Sequence, residues 1–102
     1  MSQKAKLRDC KTTADQCRAL GLSVGDTIEG REDCHDGSWE ETRLTLLWLG
    51  EEVAVWRAID RNCRRKAWSA PEESADWTLE WKDWRKVPDQ PNLSANSSAV
   101  VA

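Results

Sequence analysis

Phenylalanine and tyrosine are both missing from these 102 residues, so every aromatic side chain is a tryptophan: Trp39, Trp48, Trp56, Trp68, Trp77, Trp81 and Trp84. There is one histidine, His35, and no C-x-x-C pair among Cys10, Cys17, Cys34 and Cys63. A structural zinc site takes two close ligand pairs, each on its own chelating turn. Cys34–His35 is one cramped pair without a second, so no metal is expected. No glycine-rich phosphate loop occurs, since "GREDCHDG" has neither the spacing nor the lysine. No apolar run approaches the roughly 18 residues that span a bilayer. The N-terminus is basic without an apolar h-region, so no secretory signal is expected. The expected compartment is the cytoplasm, where the four thiols stay reduced.

The remaining enzyme readings also lack parts. His35 and Asp36 are sequence neighbours, and in a loop both are simply solvated. The carboxylate pairs Glu40–Glu41, Glu51–Glu52 and Glu72–Glu73 are adjacent in the chain and read as a solvated rim. The sequence therefore implies neither catalytic residues nor a cofactor.

What is present fits one small domain, with 32% charged residues and a net charge of −3. Residues 1–11 read as a loose basic arm, 12–87 as the globular domain, and 88–102 as a polar, disordered tail. Within "TTADQCRALG", Thr13 as N-cap, Gln16 three residues on and Gly21 as the stop predict a short helix. Its apolar face is Ala14, Cys17 and Leu20. A strand follows in "GLSVGDTIEGRE", with Leu22, Val24 and Ile28 facing inward. A second strand begins near Trp39 and runs to Leu49.

The stretch "RLTLLWLGEEVAVW" reads as a hairpin that is apolar on both faces. A two-residue turn at Gly50–Glu51 sets Trp48 opposite Val53 and Leu46 opposite Val55. One face then shows Leu44, Leu46, Trp48, Val53 and Val55; the other shows Leu47, Leu49, Ala54 and Trp56. A sheet wet on one side alternates more cleanly, so the sheet either curls into a small barrel or offers its second face to a partner. "DWTLEWKDW" fits helical spacing as well as strand alternation, and its tryptophans and threonine favour a last strand at 77–84. The expected fold is mainly β (α+β): a short N-terminal helix packed on a strongly twisted antiparallel sheet of four or five strands, or a small barrel.

Two charged regions are candidate partner-binding sites. Arg57, Arg61, Arg64, Arg65 and Lys66 put five positive charges in ten residues, opposed only by Asp60. With Trp56 and Trp68 beside them, Arg61, Arg64, Arg65 and Lys66 could grip phosphates while an indole stacks on a base. An ordinary solvated hairpin tip has the same composition. Residues 26–41 hold seven acidic side chains against Arg31 alone, giving a candidate acidic patch of Glu29, Glu32, Asp33, Asp36, Glu40 and Glu41. Nucleic-acid domains concentrate positive charge on a whole face, which this chain does not. Separated charges and spare tryptophans better suit docking on another protein. Self-association through the Leu47–Trp56 face is a further possibility.

"GLSVGDTIEGRE", "RLTLLWLGEEVAVW" and "DWTLEW–DWRKV" together resemble small accessory proteins of tailed phages and enterobacterial prophages, over about residues 13 to 87. That group has no established activity, so no functional residue carries over. The resemblance implies a role in binding a host or phage protein, such as a defence or nucleic-acid-processing factor. A small nucleic-acid binder using the basic turn 61–66 is the alternative.

Overall fold

The computed structural model describes residues 2–75 and 77–88. Two short helices, α1 (Gln3–Arg8) and α2 (Thr13–Ala19), precede five strands: β1 (Thr27–Asp33), β2 (Trp39–Leu49), β3 (Ala54–Asn62), β4 (Glu72–Ser74) and β5 (Trp84–Lys86). The strands form one antiparallel sheet in the order β4-β3-β2-β1-β5. The mainly β, α+β architecture is as expected. The sheet is open, with β4 and β5 at its edges, and does not close into a barrel. Among the described residues no helix is long and apolar enough to cross a membrane.

The segment read as a loose arm contains α1. The Ser2 hydroxyl accepts from the Ala5 N–H at 3.1 Å as the N-cap, and Lys6 and Arg8 in the last turn suit the helix dipole. Leu7, the one large apolar side chain of the helix, is fully buried. Gln3 binds both backbone groups of Trp84, donating to its C=O at 2.9 Å and accepting from its N–H at 2.6 Å. One side-chain amide thus completes the edge strand β5. The tail residues 89–102 lie outside the described residues.

In α2 the N-cap is Thr12, one residue earlier than expected, accepting from the Asp15 N–H at 3.0 Å. At the other end Gly21 takes φ +69°, and Gly21 and Leu22 donate back to Arg18 and Cys17. This is the Schellman closure that a glycine permits. Gln16 forms no capping box. It is buried and donates to Leu7 O at 3.0 Å and Glu80 Oε1 at 2.7 Å, while its own oxygen accepts from Leu79 N–H at 2.9 Å. A single side chain therefore joins α1, α2 and the 77–83 segment.

That segment is neither strand nor helix, contrary to expectation; only Trp84–Lys86 joins the sheet. Its indoles have separate tasks. Trp84 Nε1–H donates to Leu79 O at 2.8 Å, Trp81 Nε1–H donates to Thr78 Oγ1 at 2.7 Å, and Trp77 packs at the core's edge. Leu79 fills the core in place of the alternating set.

The β2–β3 hairpin also departs from its expected register. Leu49 pairs with Ala54 around a loop closed by Gly50 N–H donating to Val53 O at 2.9 Å. A bulge at Leu47 then shifts the ladder, so that Leu46 faces Trp56 instead of Val55. A slip of one residue exchanges the faces of a strand. Trp56 consequently points into the core with Leu44, Leu46, Ala54 and Ala58, and Trp48 and Val55 point to the opposite face. The loop is held by α2: Ala14 N–H donates to Glu52 O, and Arg18 reaches Gly50 O and Glu51 O. Val24, expected inward, is 58% exposed.

Candidate functional site

Helices α1 and α2 and the 77–83 segment cover one face of the sheet. The second face is covered by charge. Glu29 on β1 stands directly opposite Arg43 on β2 and Arg85 on β5, bonded at 3.0 and 2.7 Å. Glu41 on β2 stands opposite Arg31 and Arg61, at 2.9 and 2.6 Å. The Trp68 ring joins the two triads, with the Arg43 and Arg61 guanidiniums 4.9 and 4.4 Å from it. Arg31 lies 4.8 Å from Trp39 and also meets Asp33. Further along, the Thr27 and Thr45 hydroxyls bond at 2.8 Å, and Arg57 pairs with Glu73 on β4. Cation–π and ion-pair contacts thus form one continuous layer.

Glu29 and Glu41 are the two carboxylates that hold this layer together. Hydrogen bonds from Arg85 and Arg43 keep Glu29 below its ordinary value of 4.5 against an opposing pull from burial. Arg61 and Arg31 do the same for Glu41, again against burial. Both groups release their protons more readily in the folded chain than in the unfolded one. Their contribution to stability is therefore complete above the ordinary value of 4.5 and is lost as pH falls through the depressed folded values. A series of thermal melts from about pH 6 to about pH 3 is expected to fall steeply below that value. The Glu29→Gln/Glu41→Gln double variant is expected to flatten the fall; an unchanged slope would assign it elsewhere.

The predicted basic site is divided. Trp56 is fully buried and is removed from it, because the Leu47 bulge turns it into the core. Arg61 and Trp68 belong to the charged layer. Arg64, Arg65 and Lys66 are exposed on a turn braced by Asn62, whose side-chain oxygen accepts from the N–H groups of Arg64 and Arg65 at 2.9 and 2.8 Å.

The predicted acidic patch is divided too. Glu29, Asp33 and Glu41 point to the charged face, all in ion pairs. Asp36 accepts from Ser38 within the β1–β2 turn. Glu32 and Glu40 lie on the other face, opposite one another across β1 and β2. Adjacent strand residues alternate faces, so a run of acidic residues in sequence does not form one surface.

The cysteines are free. Burial pushes the Cys17 thiol up to about 11, leaving it protonated and unreactive. Among the described residues, no group of three or more His, Cys, Asp or Glu side chains is placed to hold a metal ion.

Sequence reading missed the apolar surface at the hairpin end. Trp48 is 55% exposed and Val53 43%. Gly25 N–H donates to Leu46 O and holds the Val24 loop beside this end of β2. The Trp48 indole lies over Gly50 so closely that a β-carbon there would overlap its six-membered ring. The Trp48–x–Gly50 spacing was the available signal: residues two apart share a strand face, and a glycine leaves room for a flat ring.

Over residues 11–89 the chain matches the family described as Domain of unknown function (DUF7241), and it belongs to that family. No curated protein matches it. No solved structure matches it either.

Proposed function

We propose that this chain is a non-enzymatic docking protein of the bacterial cytoplasm, and that the hairpin end carrying Trp48 is the surface on which another protein sits. The observation that carries the reading is an exposed indole laid against Gly50, with Val53 exposed in the same hairpin loop. Tryptophan is among the residues that most often dominate interface energies, and a ring already held in place loses little freedom on binding. The carboxylates near the patch, Glu51 and Glu52, disfavour nucleic acid. Arg18, the nearby cation, is held by Asp15 and by the carbonyls of Gly50 and Glu51. In the setting that the phage resemblance implies, the partner is a host or phage protein, and binding would inhibit a defence or nucleic-acid-processing factor. The exposed Arg64, Arg65 and Lys66 favour nucleic-acid binding as the second reading.

Affinity capture from bacterial lysate, with and without nuclease, tests the proposal when run beside Trp48→Glu. A stoichiometric partner that survives nuclease and is lost with Trp48→Glu is expected. Gly50→Ala should also weaken capture several-fold by turning the indole aside, while costing under about 1 kcal/mol in stability because the displaced ring is at the surface. A partner indifferent to both substitutions would overturn this assignment of the surface. Capture that vanishes with nuclease would support the basic turn instead.

A further inference from the structure

Six pairs of directly opposed charged residues occur in the described ladders. Five are of opposite sign: Glu29–Arg43, Glu29–Arg85, Arg31–Glu41, Glu41–Arg61 and Arg57–Glu73. The sixth is Glu32–Glu40. Like charges directly opposed destabilise a sheet, and this pair lies at the far end of β2 from Trp48, on the helix-bearing face. Asp60 belongs to the same face, opposite Thr42.

Here the three carboxylates border a groove of about 250 Å³ walled by Trp77, Trp81 and Trp84. Among the described residues the one cation lining it is Lys82, which is 9% exposed and donates to Glu40 and Thr42, each at 3.0 Å. Gly30 lets the Trp84 ring and the Lys82 stem lie close on β1, since a β-carbon there would press on both. The Trp81 and Trp84 nitrogens are fixed by their bonds to Thr78 and Leu79, so two of the walls are held in place. Three carboxylates against one ammonium leave the groove with an excess of two negative charges.

The opposite face shows what such a set of groups accepts. There, guanidiniums lie over the Trp39 and Trp68 rings with Glu41 bonded to Arg31 and Arg61. The groove presents the indoles and carboxylates of that arrangement with no arginine among its described lining residues; Arg64 lines the adjoining depression that shares Glu32 and Glu40. We propose that the groove binds a basic side chain, arginine foremost, on a segment of a partner polypeptide. A guanidinium suits it because it can stack on an indole and bond a carboxylate with two donors at once. It would also relieve the Glu32–Glu40 repulsion. The inference shares with the docking reading only the premise that a polypeptide binds, and it uses a different surface.

The test is a calorimetric titration of the full chain, at low ionic strength, with an acetylated and amidated peptide of alternating glycine and arginine. Lysine and citrulline versions of the peptide are the comparison. Saturable binding is expected, tighter for arginine than for lysine and abolished by uncharged citrulline. Glu32→Gln/Asp60→Asn should weaken it about tenfold or more, the scale of one desolvated cation site. Glu51→Gln/Glu52→Gln, which removes the same charge at the other end of the sheet, should change it less than about twofold. Equal losses in the two double variants would mean attraction to net charge alone and would overturn the proposal, as would absence of saturable binding. Trp48→Glu is expected to keep peptide binding. Peptide binding kept while capture fails refutes the hairpin-end surface alone; capture kept while peptide binding fails refutes the groove alone.

Discussion

Trp56→Ala is expected to remove about 3–5 kcal/mol of stability, the usual consequence of emptying a large aromatic site in a core. Small domains hold about 5–15 kcal/mol in total, so this substitution brings the chain to the edge of unfolding. The ring is fully buried, at the centre of β3 opposite Leu46 and Ser74. Neighbours drawn from two different strands cannot all collapse into the vacated space. Trp56→Phe should behave quite differently. The indole Nε1 is the one buried side-chain polar atom without a hydrogen-bond partner among the described residues, and an orphaned donor costs about 1–3 kcal/mol. Phenylalanine gives up ring volume but also removes that donor, so its loss should be well under half that of alanine. Urea unfolding followed by far-ultraviolet circular dichroism separates the two. Equal losses would mean that the buried N–H carries no penalty.

Gln16→Met is the second large effect, about 1–3 kcal/mol from the Leu79 N–H left buried without a partner; Leu7 O still accepts from Cys10 N–H. Methionine keeps the length and packing of glutamine. It cannot donate to Leu7 O or to Glu80, and its sulfur is a poor acceptor for Leu79 N–H. The loss should be local before it is global, because the 77–83 segment has no regular backbone ladder of its own. Hydrogen exchange is therefore the informative readout. Leu79 N–H should lose its protection while the centre of β2 keeps it. Equal losses at both places would show that Gln16 supports the whole domain and not this one attachment.

Much of this architecture could be read from the chain. Periodicity and turn residues placed β2 at Trp39–Leu49, and capping chemistry located α2 to within a residue. The failures have physical causes. Helix α1 has six residues and one large apolar side chain, so local pattern says little; Leu7 and Gln3 are ordered by contacts made far along the chain. The β2–β3 register depends on a bulge at Leu47, and a strand apolar on both faces does not reveal where its alternation breaks. Trp77, Leu79 and Trp81 alternate as a strand would, but the group that fixes Leu79 is a glutamine 63 residues away. For the site, the basic and acidic clusters were visible as composition only. Which of their members share a surface is decided by the pleat, which sends Glu29 and Glu41 one way and Glu32 and Glu40 the other.

The charged layer also acts as a check on strand alignment during folding. A hydrophobic stretch such as β2 penalises misalignment by one position, because the core residues would then face water, but it penalises a two-position shift weakly. Moving β1 along β2 by two residues sets Glu29 against Glu41 in one direction and Arg31 against Arg43 in the other. Moving β3 along β2 sets Arg43 against Arg57 or against Arg61. The native alignment thus lies between mispairings that each bring like charges together. The ion pairs need add little to the native state to have this effect. Their influence falls on competing alignments, each of which they disfavour.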